Sequence, residues 1–130
     1  MLYLPRRVVL GEATPTFRSQ HFDIHPVGNR IWAAIGRPTS GATGNAGIVD
    51  LGGPILVFDT FLTMQASADL RSAAQFLTGQ IPTQVVNSHG HLDHTLGNAA
   101  FGASTIHGTE ATRQFVGKNG PEMLARAADP

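Results

Sequence analysis

The sequence predicts an α/β layered domain in which helices cover a mixed sheet, and three observations lead there. Between residues 22 and 58, short apolar stretches alternate with Gly-containing turns at strand-like spacing. Ala66, Leu70, Ala73, Ala74 and Leu77 then recur at helical spacing, and a short Val85-Val86 strand follows and opens into a cluster of histidines. Strands first, then helix, strand, loop, strand and helix make a sheet with helices laid over it.

Taken in order, the first twenty residues show no clear period and are read as an irregular lead-in. Phe22, Ile24 and Pro26 alternate with polar neighbours, Gly28-Asn29 supplies a tight turn, and Arg30 to Ile35 completes a hairpin. Residues 36–47 are rich in Gly, Thr and Ser and form a loop; they lack the Gly-Lys-Ser/Thr ending of a phosphate loop and are read as structural. Ala46 to Leu51, Gly52-Gly53 and Pro54 to Asp59 make a second hairpin. Its last strand, Ile55 to Phe58, is apolar on both faces and so belongs in the middle of the sheet.

Thr63 is placed to cap the helix that carries the apolar stripe, Gly79 to end it, and Pro82 to prevent its resumption. Gln84 to Asn87 is a strand, and Ala103 to Ile106 is another. Thr109 caps a short helix that reaches Phe115 and closes at Gly117, and Pro121 opens a last helix at its first position.

The bulk composition excludes several function classes. One domain of 130 residues carries nine basic and nine acidic side chains with no basic stripe, so nothing electrostatic invites a nucleic acid. No apolar run is long enough to span a membrane, and the first residues, Met1 to Arg7, place their charges after the apolar ones, unlike a secretory signal. The absence of cysteine excludes disulfides, thiolate ligands and a cysteine nucleophile, and fits a cytoplasmic location.

The chemistry concentrates in Ser88-His89-Gly90-His91-Leu92-Asp93-His94, where three of the six histidines flank an aspartate. Imidazole and carboxylate are the donors that hold zinc, iron or manganese where no thiolate is present. On a strand, His89, His91 and Asp93 would share one face and His94 would turn away. On a helix, His89 would pair with Asp93, and His91 with His94. Neither geometry gathers all four, whereas a loop leaving a strand and curling into a helical turn does, with Gly90 giving backbone freedom. Such a loop lies beyond the carboxyl end of a strand, where α/β sheets bind ligands. His89 and His91 are natural partners for one ion, and Asp93 and His94 for a second about 3.5–4 Å away if the two are bridged. His21 and His25 are read as hydrogen-bonded surface residues of a strand.

The pattern His-x-His-x-Asp-His, with Asn45 to Val49 followed by Ile55 to Thr60, Val85 to His89 and Gly97-Asn98, resembles the metallo-β-lactamase superfamily of metallohydrolases. The resemblance implies an αβ/βα sandwich of two similar halves, of which residues 1–130 cover one ββα half, the N-terminal one. It further implies that His89 and His91 bind one metal and Asp93 and His94 the second, that Asp93 also orients the bridging water, and that Asp59 supports the site from below. His107 is expected, at most, to support the site through a hydrogen bond.

The implied cofactor is zinc, two ions in a complete site, with iron or manganese suiting the same donors. The match looks closer to glyoxalase II-like and lactonase-like hydrolases than to other branches. The implied activity is attack of metal-activated water on an ester, thioester, lactone or amide of a small molecule. The family completes its site with later histidines and an aspartate, and no histidine follows His107 here. The alternative expectation is therefore a metal-binding module with little turnover that self-associates or needs a partner chain.

Overall fold

A computed structural model describes residues 16–128; the start of the expected lead-in lies outside the described residues. Six strands form one mixed sheet in sequence order: β1 (Phe22–Gly28), β2 (Ile31–Gly36), β3 (Asn45–Asp50), β4 (Ile55–Phe58), β5 (Gln84–Val86) and β6 (Thr105–His107). The first four pair antiparallel, and β5 and β6 add on parallel to β4. Parallel neighbours need a crossover. Helix α1 (Met64–Thr78) supplies it between β4 and β5; helix α2 (Leu92–Thr95) and a 3₁₀ segment (Leu96–Phe101) supply it between β5 and β6. Helix α3 (Glu110–Ala128) follows.

Helix α1 has the ends its sequence predicts. Thr63 Oγ1 accepts from the Ala66 N–H at 3.3 Å, and Gly79, at φ 74°, donates its N–H to the Gln75 carbonyl at 2.8 Å. Its Ala66, Leu70, Ala73 and Ala74 are buried against Ala34, Ala46, Ile48, Ile55, Val57 and Val85 on one sheet face, with Phe22, Phe61 and Phe101 closing the core. The opposite face is open. Ile31 stands beside Val49 and Val49 beside Leu56, while Ala33, Gly47 and Phe58 form the next row. Ile31 and Phe58 remain exposed, and a trough of about 660 Å³ runs over these residues toward Asp59 and His94.

Several expectations need correction. The first hairpin turns at Asn29-Arg30, because an irregularity after Pro26 brings Gly28 into register with Ile31. Proline is tolerated there because β1 is an edge strand. His21 is buried rather than on the surface, its Nδ1 2.5 Å from the Ser40 carbonyl. The third expected strand begins at Asn45, and the last runs from Thr105 to His107. The two helices expected after Thr109 are one: α3 runs through Gly117 and contains Pro121. A proline removes a single intrahelical bond, and glycines at 117 and 120 leave room for the bend it imposes.

The 3₁₀ segment is held tightly against α1. Gly97 donates its N–H to the Phe61 carbonyl at 3.2 Å, and a Cβ on Gly97 would overlap Ser67 Oγ and the Thr60 carbonyl. Both are backed by buried structure and cannot retreat. Gly97→Ala is therefore expected to cost about 1–3 kcal/mol of stability or more, measured as a lowered urea midpoint with the m-value unchanged.

Candidate metal centre

The site is built where β4 and β5 end side by side. After Phe58 the chain makes an abrupt turn in which Asp59 (φ 60°) and Phe61 (φ 66°) both take left-handed backbone. For an aromatic residue this is a genuine outlier, and such strain persists only where the surroundings over-determine it. Here the Phe61 ring is buried and stacked on Phe22 at 5.3 Å. Thr60 donates its N–H to the His94 carbonyl at 3.1 Å. The turn aims a buried carboxylate at the end of β5.

Asp59 is 3% exposed and accepts three hydrogen bonds: Ser88 N–H to Oδ1 at 2.7 Å, Ser88 Oγ–H to Oδ2 at 2.7 Å, and His94 Nδ1 to Oδ2 at 2.8 Å. These partners decide the tautomers. A carboxylate only accepts, so His94 carries its proton on Nδ1 and leaves the Nε2 lone pair free. The Ser88 hydroxyl donates to Asp59, so its oxygen accepts from His89 Nδ1–H at 2.8 Å, which frees His89 Nε2 in the same way.

The freed nitrogens face other donors. His89 Nε2 lies 3.1 Å from His91 Nδ1, and His94 Nε2 lies 3.2 Å from Asp93 Oδ2. Two ligands on one tetrahedral zinc, each about 2.0–2.1 Å from the ion, are about 3.3 Å apart. Both pairs therefore span the edge that such an ion needs. The His89 and His94 rings adjoin, with centroids 4.1 Å apart, so the two pairs form one cluster. Among the described residues no three His, Asp or Glu side chains close on a single point, and each pair would need further donors.

The structure thus brings together His89, His91, Asp93, His94 and Asp59. His107 stands apart on β6, where its Nε2 meets Gln84 Oε1 at 2.6 Å. Beneath the loop, Asn87 and Asn98 exchange side-chain hydrogen bonds at 3.1 and 2.8 Å. Thr60 Oγ1 donates to Asn98 Oδ1 at 2.8 Å, and Asn87 Nδ2 donates to the His94 carbonyl at 3.0 Å. No buried side-chain polar atom among the described residues lacks a partner.

Sequence reasoning missed the roles of Ser88, Thr60, Asn87 and Asn98, because hydroxyls and amides at strand ends carry no distinctive spacing. It also read the 36–47 loop as merely structural. Gly44 in that loop lies against the cluster, where a Cβ would sit 3.3 Å from Asp93 Oδ2 and 3.5 Å from His94 Cε1.

The chain is of the α/β class, with a parallel strand pair that ends in a buried carboxylate and a histidine–aspartate loop able to offer donors to a metal. Within that class the family is plain. The metallo-beta-lactamase superfamily model matches residues 40–114, more than half of the chain, and the chain belongs to that superfamily. Solved structures with the same fold include a metallo-beta-lactamase from Hirschia baltica (TM-score 0.67, 18% identity, 77% of this chain and 48% of that one). The metallo-beta-lactamase FIM-1 from Pseudomonas aeruginosa, in its mono-zinc form, is similar at TM-score 0.67 and 17% identity, over 77% of this chain and 47% of that one. One from Erythrobacter litoralis reaches TM-score 0.66 at 17% identity, covering 79% and 48%. The chain spans about half the length of these structures. No curated protein matches it in sequence.

Asp59→Asn tests the clamp. An amide that keeps its oxygen on the Ser88 N–H turns its NH2 toward Ser88 Oγ and His94 Nδ1, so the buried hydrogen bond from His94 is lost and Ser88 must reverse its hydroxyl. The expected cost is about 1–3 kcal/mol in urea unfolding, with the His94 imidazole nitrogen resonances shifting as its proton loses its acceptor.

Proposed function

We propose that this chain carries the metal-binding half of a metal-dependent hydrolase acting on an ester, thioester, lactone or amide of a small molecule. The observation that supports this most directly is the two donor pairs at 3.1 and 3.2 Å, with His89 and His94 held by Ser88 and Asp59 in the tautomers that leave lone pairs facing in. His89 and His91 hold one ion and Asp93 and His94 a second. Zinc suits these nitrogen and oxygen donors, as do iron and manganese. Divalent cations bound there lower the pKa of water from 15.7 toward about 7 and polarise a carbonyl oxygen.

The remaining work falls to the chain. Asp93 presents one carboxylate oxygen beside His94 and keeps the other for the attacking water, orienting it and taking its proton. Asp59 keeps His94 and, through Ser88, His89 from turning away. The glyoxalase II-like or lactonase-like branch and a cytoplasmic setting belong to the same proposal. No helix among the described residues is long and apolar enough to cross a membrane.

Purified protein should contain zinc, iron or manganese by elemental analysis and should turn over a thioester or a lactone. His89→Ala is expected to abolish turnover, and Asp93→Ala to lower metal content. Unchanged metal in the Asp93 variant sinks the assignment.

The open sheet face favours a second reading, in which the chain is a metal-binding module with little turnover that self-associates or takes a partner chain. Ile31, Ile35 and Phe58 on that face are each at least 40% exposed, and contiguous apolar surface of this kind marks an interaction site. Sedimentation velocity is expected to show association at micromolar concentration that Phe58→Lys prevents. A monomer at every concentration removes self-association, and full turnover by that monomer removes this second reading.

A further inference from the structure

Of the three clustered imidazoles, two are held from behind by hydrogen bonds, His89 by Ser88 and His94 by Asp59. Among the described residues, His91 has no such partner. Its Nδ1 faces His89, and its Nε2 makes no hydrogen bond to a described residue. A metal-binding histidine almost always has its second nitrogen anchored, because the anchor fixes the ring's orientation. His91 is held instead by Phe115 of α3. The two rings lie edge to face, with centroids 5.7 Å apart and planes at 69°. Aromatic rings favour this arrangement because a positive edge meets a negative face.

The same phenyl ring explains Gly90. The sequence suggested that glycine served backbone freedom there, but Gly90 is not among the residues with positive φ. A Cβ at Gly90 would lie 2.5 Å from Phe115 Cδ1 and 3.0 Å from Cγ. Glycine is needed because the ring fills the place of a side chain. Phe115 thus rests on the backbone of the loop and against the one imidazole without a hydrogen-bonded support. Helix α3 is lightly held overall: Thr112 is buried, but Phe115 and Val116 are each 37% exposed and Leu124 is 53% exposed.

We propose that Phe115 is the positioning residue of His91. It sets the ring by packing, so that Nδ1 meets His89 Nε2, and it thereby couples docking of α3 to metal uptake. The inference rests on the reading of His89 and His91 as donors to one cation. It also requires that Phe115 orient the ring before any metal arrives.

Imidazole nitrogen and ring-proton NMR of the metal-free chain tests the orientation directly. In Phe115→Ala the His91 ring is expected to lose its contacts and become mobile, while His94, held by Asp59, keeps its native signals. Phe115→Tyr, which retains the ring edge, is expected to restore them. In zinc titrations followed by calorimetry, Phe115→Ala should weaken uptake at least about tenfold, the loss typical when a ligand's support is removed. Gly90→Ala should weaken zinc binding in the native chain and cost little more in the Phe115→Ala background, because the clash has gone.

A native His91 spectrum in metal-free Phe115→Ala overturns the inference, as do Gly90 and Phe115 effects that simply add. If the native chain binds no zinc, iron or manganese and the metal-free Phe115→Ala variant still shows the His91 change, the proposed function is refuted and the positioning role stands.

Discussion

The three hydrogen bonds on the Asp59 carboxylate are the constraint on which the site depends. A buried carboxylate is costly unless its lone pairs are met, and here a backbone N–H, a hydroxyl and an imidazole N–H meet them. These donors come from Ser88 and His94, which are 29 and 35 residues away in sequence. One carboxylate therefore fixes the end of β5, the start of the loop and the turn of α2 relative to β4. It also sets which nitrogen of two histidines faces inward. The left-handed backbone at Asp59 and Phe61 opposes this at an order of 1–3 kcal/mol for each residue. The buried Phe61 ring, stacked on Phe22, holds the turn in place. Strain at the site is thus sustained by packing in the core.

The parts of this molecule legible in sequence are those whose determinants are local. Helix α1 has its cap, its apolar stripe and its terminal glycine within one short stretch, and the structure matches each of them. The cluster of donors is likewise contiguous, so the candidate residues could be named from spacing alone. What escaped notice is set by contacts distant in sequence. The helical turn at Leu92–Thr95 was expected, but its continuation as a 3₁₀ segment to Phe101 rests on Gly97 bonding the Phe61 carbonyl and fitting against Ser67, and no periodic pattern records that. The donor pairs and the support from Asp59 were expected, but the part of Ser88, which links the Asp59 carboxylate to His89, was not. Gly90 was noticed for the wrong reason, since the phenyl ring that requires it lies on α3.

The sheet has two apolar faces with different fates. Its covered side is filled by α1 and three phenylalanines, which is enough to place β4 and β5 rigidly and give the loop a fixed base. The open side continues the same strands outward through Ile31, Val49, Leu56 and Phe58. A strand that is apolar on both faces, as β4 is, belongs in a sheet covered on both sides. Its composition therefore matches a more enclosed setting than this chain alone provides.

The open apolar face and the donor cluster are physically continuous. Each donor pair leaves about half of a four-coordinate ion's positions to be filled, and the described residues bring no third side chain to either pair. The trough over the open face is lined by Ile31, Leu56 and Phe58 together with Gly44, Asp59 and His94. The apolar rows and the His94 imidazole thus share one trough. Covering the sheet would lower the dielectric around the cluster, which strengthens every charge interaction there. It would also bring new side chains within reach of the open coordination positions. A cover on the open face would therefore act on the Asp59 charge and the His94 imidazole as well as on the apolar rows.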